Sequence, residues 1–221
     1  MRPSSARTAL VAGVLSIAST GAAVLPAMAS ADTQGNPSAS IASVGVVKRH
    51  INVTAGGKAV VRGAVAPRSR GVRALLQVRR ASGWKTLDRD RTGSRGRYHL
   101  HRRLGAPTSG HARVVVAGGG RKRHRGLGRL NVYRYAQVSW YGPGLYGNHL
   151  GCGGTLGYST IGVANKSLPC GTRLTLRHAG HTLRVRVIDR GPYVAAREFD
   201  LTAATARKLR FHGHGAILTT R

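Results

Sequence analysis

Across residues 43–134, short runs of alternating apolar and polar residues follow one another, each cut off by Gly, Pro, Ser or Asp. A period of two sends successive side chains to opposite faces of a strand, so each run buries one face and wets the other. Ala59, Val61, Gly63 and Val65 alternate with Val60, Arg62 and Ala64, and Val72, Ala74, Leu76 and Val78 alternate with Arg73, Leu75, Gln77 and Arg79. Residues 84–87, 98–100, 112–117 and 127–133 continue the series. About seven short strands at this spacing predict a β-sandwich over residues 43–134, immunoglobulin-like in pattern. The Cys…Trp…Cys signature of antibody domains is absent, and such a fold names no function by itself. Composition agrees: 31 Gly against 2 Phe and 2 Trp suits turn-rich β structure rather than a helical bundle.

Charge narrows the partners. The chain carries 36 Lys+Arg against 6 Asp+Glu, a formal charge of +30. That excludes an ordinary cytosolic metabolic enzyme as the default, and alone it points to nucleic acid. The N-terminus redirects it. Arg2 and Arg7 precede an uncharged apolar run over residues 9–29, and Ala27-Met28-Ala29 and Ala29-Ser30-Ala31 both fit small-x-small cleavage. Residues 1–31 therefore read as a secretory signal peptide. A membrane anchor is the alternative, but Ser16, Thr20, Gly21 and Pro26 break the run, and the mature chain offers no other spanning segment. Secretion makes the expected partner a polyanion outside the cytoplasm; cell-wall polymers, peptidoglycan carboxylates and anionic lipid headgroups all qualify. Nucleic acid would bind only by non-specific counterion release and is not a physiological partner.

Residues 32–42 form a flexible lead-in, and residues 32–135 hold 23 basic against 3 acidic side chains. Gly118-Gly119-Gly120-Arg121-Lys122-Arg123-His124-Arg125 reads as a flexible basic loop. The charge is either a solvated surface or an electrostatic tether to an anionic wall.

Cys152 and Cys170 are the only cysteines. In an oxidising compartment they read as one disulfide; no C-x-x-C spacing supports a metal site, and no cofactor is implied. From Ala136 onward charge falls, and glycine and aromatic residues cluster over 139–147. Residues 173–177, 182–188 and 216–220 alternate as strands, and residues 200–209 read as a short helix capped by Asp200 or Thr202.

Ser139-Trp140-Tyr141-Gly142, Leu168-Pro169-Cys170-Gly171-Thr172, Asp189-Arg190-Gly191-Pro192-Tyr193 and Phe199-Asp200-Leu201-Thr202 occur in that order. Together they resemble the RlpA-like (rare lipoprotein A) double-psi β-barrel family, related to the barrels of expansins and barwin. The resemblance covers residues 136–221, and the paired cysteines and basic leading domain look like its secreted actinobacterial members. It implies an all-β chain: the sandwich, then a six-stranded double-psi barrel with a short helix. It also implies a partner, peptidoglycan, and a cell-wall role. Some members are lytic transglycosylases; others in the wider group bind or loosen wall polysaccharide without cleaving it.

Glycan cleavage needs a proton donor at the glycosidic oxygen. Hydrolases of this kind usually use two carboxylates. A lytic transglycosylase can manage with one, because a hydroxyl of the sugar itself displaces the leaving group. After Ala136 the only acids are Asp189, Glu198 and Asp200. Asp189 and Asp200 match acids of the family motifs and are the catalytic candidates; structural roles in the turn after Asp189 and at the helix N-cap are their alternatives. Glu198 reads as solvent-facing. Trp140, Tyr141 and Tyr193 are candidates for stacking on sugar rings, and Asn165 for hydrogen bonding to them. Two departures count against catalysis. Gly153-Gly154 stands where enzymatic members carry Gly-Glu, and Asn165 where they carry His. The two readings are thus a lytic transglycosylase and a non-catalytic, expansin-like wall-binding or loosening module.

Overall fold

A computed structural model describes residues 40–221. The signal peptide expected at 1–31 and the lead-in up to residue 39 lie outside the described residues. In chain order the elements are β1 (Ser43–His50), β2 (Asn52–Thr54), β3 (Lys58–Ala66), β4 (Arg73–Arg80), β5 (Gly83–Arg91), β6 (Arg97–Arg103), β7 (Thr108–Gly118), β8 (Arg121–Tyr141), β9 (Val163–Ala164), β10 (Arg173–His178), β11 (His181–Asp189), β12 (Phe199–Thr202), α1 (Ala203–Leu209) and β13 (Gly215–Thr219).

The N-terminal strands form two sheets. One has the order β1-β3-β6; the other runs β5-β4-β7-β8, with β2 added parallel to β8. Each strand turns its alternate apolar residues to one shared core. Val61 and Leu100 from the first sheet meet Leu76, Val114 and Leu130 from the second. This two-sheet arrangement is consistent with the immunoglobulin-like sandwich expected from the pattern. Gly63 has a specific task in it: a Cβ there would lie 2.3 Å from the Tyr98 hydroxyl, which crosses the strand to donate to the Gly45 carbonyl at 2.7 Å.

The basic stretch 118–125 is not a flexible loop. Gly118 pairs with Arg121, and the ladder continues through Arg125 opposite Val114. Gly119 and Gly120 alone make the turn, both at positive φ, as a two-residue hairpin connection of this twist requires. Residues 121–126 of β8 are all exposed. Backbone pairing, not side-chain burial, makes them a strand, so no apolar alternation marked them. β8 then runs unbroken into the C-terminal half, so residues 134–136 lie inside a strand rather than in a linker.

The C-terminal strands close a ring. Its order is β12-β9-β11-β10-β13-β8, and β12 returns to pair in parallel with β8. Val138, Val163, Leu176, Val187, Phe199 and Leu201 are among the residues filling its interior. The helix begins later than the sequence suggests. Residues 199–202 are drawn into β12 by pairing with residues 138–141 of β8, so Asp200 is a strand residue and not a cap. Thr202 is the N-cap: its hydroxyl accepts from the Thr205 amide at 3.3 Å. Thr202→Ala should therefore cost about 1 kcal/mol, read as a lower urea midpoint with an unchanged slope.

Candidate active site

The barrel brings Asp189 and Asp200 to one groove through a single small residue. In β9, Ala164 pairs with Asp189 of β11 on one side and with Asp200 of β12 on the other. Adjacent strands lie about 4.8 Å apart, so the two acid-bearing backbones sit roughly 9–10 Å apart with only a methyl group between them. Ala164, Asp189 and Asp200 line the groove together with Tyr141, His149 and Tyr193. Leu145, Leu150 and Leu156 add an apolar wall.

Asp189 ends β11, and its Oδ1 accepts the Gly151 amide at 2.7 Å and the Arg190 amide at 2.8 Å. Gly151 is needed for that approach, since a Cβ there would lie 2.8 Å from Arg190 Cγ and 3.1 Å from Asp189 Oδ1. The loop carrying Gly151 is tied down twice more. The Cys152 amide donates to the Ile188 carbonyl at 3.2 Å, and Cys152 is bonded to Cys170, as the compartment argument expects. Arg190 also lines the groove, and its guanidinium is held by the Leu168 carbonyl at 2.8 Å and the Asn165 carbonyl at 3.0 Å, to both of which it donates.

Asp200 accepts a hydrogen bond from the Ser139 hydroxyl, its neighbour across β12 and β8. Arg197 donates to the same Ser139 Oγ at 3.1 Å, so a cation stands behind the carboxylate. Glu198 does not face solvent alone. Arg134 grips it with both guanidinium nitrogens, at 2.9 and 2.5 Å, which takes it out of the catalytic inventory. The Tyr141 phenol lines the same groove and feels the charge of both carboxylates. Its oxygen is buried with no well-formed hydrogen bond. Burial first, then the adjacent negative charge of Asp189 and that of Asp200, push it well above the ordinary phenol range. It therefore remains a protonated donor at any physiological pH.

Four of the residues singled out in the sequence converge here: Asp189, Asp200, Tyr141 and Tyr193. Tyr193 stands at the rim, 86% exposed. Trp140 and Asn165 lie outside the groove lining. Alternation along β8 turns Tyr141 inward and leaves Trp140 facing out, 39% exposed. Asn165 is 8% exposed and fully engaged: it donates to the Glu198 carbonyl at 2.8 Å and accepts the Leu168 and Ser167 amides at 2.8 and 3.1 Å. Gly154, where enzymatic relatives of this motif carry Glu, occupies a left-handed turn at φ +81° that a glutamate would strain. His149 belongs to none of the four sequence motifs, yet it lines the groove. Its position depends on a local pairing of His149 with Thr155, which no periodicity announces.

The profile of the family described as lytic transglycolase matches residues 136–219. Residues 136–219 form an RlpA-like double-psi β-barrel domain. A protein of Synechocystis sp. named probable endolytic peptidoglycan transglycosylase RlpA is 37% identical to the chain over 80 residues, 35% of this chain and 25% of the relative. One of the same name from Aquifex aeolicus is 32% identical over 120 residues, 53% of this chain and 51% of the relative. The endolytic peptidoglycan transglycosylase RlpA of Campylobacter jejuni is 37% identical over 74 residues, 33% of this chain and 27% of the relative. The chain thus spans between a quarter and a half of the length of these relatives. In the RlpA-like barrel described here, the four ordered motifs fall on the elements that surround the groove: β8, the loop before β10, the end of β11, and β12. Among the described residues no group of three His, Cys, Asp or Glu side chains is placed to hold a metal ion. Nor is any helix among them long and apolar enough to cross a membrane.

Proposed function

We propose that the RlpA-like barrel cleaves the glycan strands of peptidoglycan as a lytic transglycosylase, with Asp189 as general acid and base. The observation that carries this reading is the placement of Asp189 and Asp200 on either side of Ala164 in one open groove. The names of the relatives supply the substrate class.

The chemistry balances on one carboxyl group. Protonated Asp189 gives its proton to the glycosidic oxygen, the C1–O bond breaks, and positive charge develops on the sugar ring. Asp200 faces that charge and stabilises it. The C6 hydroxyl of the same sugar closes on C1 and returns its proton to Asp189, leaving a 1,6-anhydro ring and consuming no water. Tyr141 keeps its buried phenol proton beside Asp189, and Tyr193 offers an exposed ring for a sugar face at the mouth of the groove. Trp140 and Asn165, expected to touch glycan, have no part in this reading. The basic surface holds the protein at its insoluble, anionic substrate, and the site of action is the cell wall.

Incubation with peptide-stripped glycan strands tests the reading: strand length should shorten with time and protein concentration. Strands of unchanged length that still retain the protein would overturn it in favour of the expansin-like binding module, which the glycine at position 154 favours. Tyr193→Ala should weaken retention on those strands about fivefold to tenfold while leaving the melting temperature unchanged, because its side chain is almost wholly exposed.

A further inference from the structure

Away from the groove, the outer face of the β10–β11 hairpin is built from arginines. The antiparallel register sets Arg173 directly opposite Arg186, and Arg184 lies two residues along the same strand face. All three are exposed and line one shallow pocket with Ile161 and Val185. Like charges directly opposed across a ladder are destabilising, so a fold keeps them at a cost. No carboxylate offsets it: among the described residues the only ion pair joins Arg134 to Glu198. The crowding is felt at Arg184, whose pKa is lowered by partial desolvation first and then by the charges of Arg129, Arg173 and Arg186. Arg129 comes from the sandwich half of β8, so both halves of the chain contribute positive charge to the same place.

We propose that Arg173, Arg184 and Arg186 form a binding site for the phosphates of a phosphodiester polymer, separate from the glycan groove. Three features suit the phosphates of a chain. The cations are guanidinium groups, whose planar forks bind phosphate oxygens in pairs. They converge on a pocket instead of spreading over a convex surface. Arg184 and Arg186 are spaced by two strand rises, roughly 6.6 Å, which successive phosphates joined by a short polyol can match. Arg121, Arg123 and Arg125 on β8 provide the contrast: they stand in single file, opposite Gly118, Val116 and Val114. The proposal deepens the retention part of the function above and does not depend on cleavage.

The test uses the mature full-length chain and a fluorescent glycerol-phosphate oligomer, with polyglutamate of equal charge and anionic phospholipid vesicles as competitors. The triple variant R173Q/R184Q/R186Q should lose about tenfold in affinity at physiological salt and show a flatter dependence of affinity on salt. R121Q/R123Q/R125Q, which removes the same charge, should lose less than about threefold. The melting temperature of the first variant should hold or rise, because removing the arginines relieves their repulsion. Equal losses in the two variants would overturn the site and leave only retention by net charge. Competition by polyglutamate or by vesicles as strong as by unlabelled oligomer would overturn the phosphodiester assignment. Failure of the wild type to bind the oligomer at all would overturn both the site and the retention reading.

Discussion

Asp189→Asn should abolish shortening of glycan strands, lowering the rate by at least about 100-fold, while the protein folds normally. The two halves of that expectation rest on different atoms. Loss of activity follows because an amide cannot exchange the proton that must pass to the glycosidic oxygen and back. Retention of the fold follows because Asn keeps a carbonyl oxygen where Asp189 Oδ1 now accepts the Gly151 and Arg190 amides at 2.7 and 2.8 Å. Rate and melting curve should be measured on the same preparation. A variant that retains activity would reduce Asp189 to an anchor of the Gly151 loop. A variant that unfolds would be replaced by Asp200→Asn, which should be slowed less, because in the proposed mechanism Asp200 stabilises charge and transfers no proton.

The largest stability effect should come from the disulfide. Cys152 and Cys170 close a loop with a sequence separation of 18 residues. In the chain-entropy description such a closure contributes about 3 kcal/mol. Cys152→Ser with Cys170→Ser should lower unfolding stability by that amount, read from urea midpoints, and reductant should do the same to the wild type. Function should suffer beyond the loss of stability, because the bridge lies beside the Gly151 amide that holds Asp189 and beside the Arg190 guanidinium. Activity of the reduced protein should therefore fall at urea concentrations where it is still fully folded. A loss of stability well under about 1 kcal/mol would mean that the Arg190 bonds alone fix these loops.

Much of this molecule was legible where side chains alternate with a fixed period. The core strands around Val61, Leu76, Val114, Leu176 and Val187 are buried on the faces that their spacing assigns. The four ordered motifs placed the barrel and brought Asp189 and Asp200 forward as candidates. What stayed hidden was set by backbone pairing or by contacts distant in sequence. Residues 121–125 gave no strand signal because both of their faces are wet. Residues 199–202 carried helix-compatible side chains but were claimed by a parallel register with β8 that no local rule encodes. Asn165 looked like a free polar group for substrate, and Glu198 like a solvent residue. Their partners are the backbone of residues 167, 168 and 198 for Asn165, and Arg134, 64 residues away, for Glu198. His149 escaped because a loop histidine has no period.

Ring closure on one carboxyl group and attack by water leave different ends on a broken glycan strand. Mass spectrometry of the new chain ends formed from purified peptidoglycan in isotopically heavy water separates the two. Ring closure gives 1,6-anhydro ends with no solvent oxygen incorporated, present with wild type and missing with Asp189→Asn. Reducing ends carrying solvent oxygen, or no new ends beside undiminished binding to the wall, would contradict it.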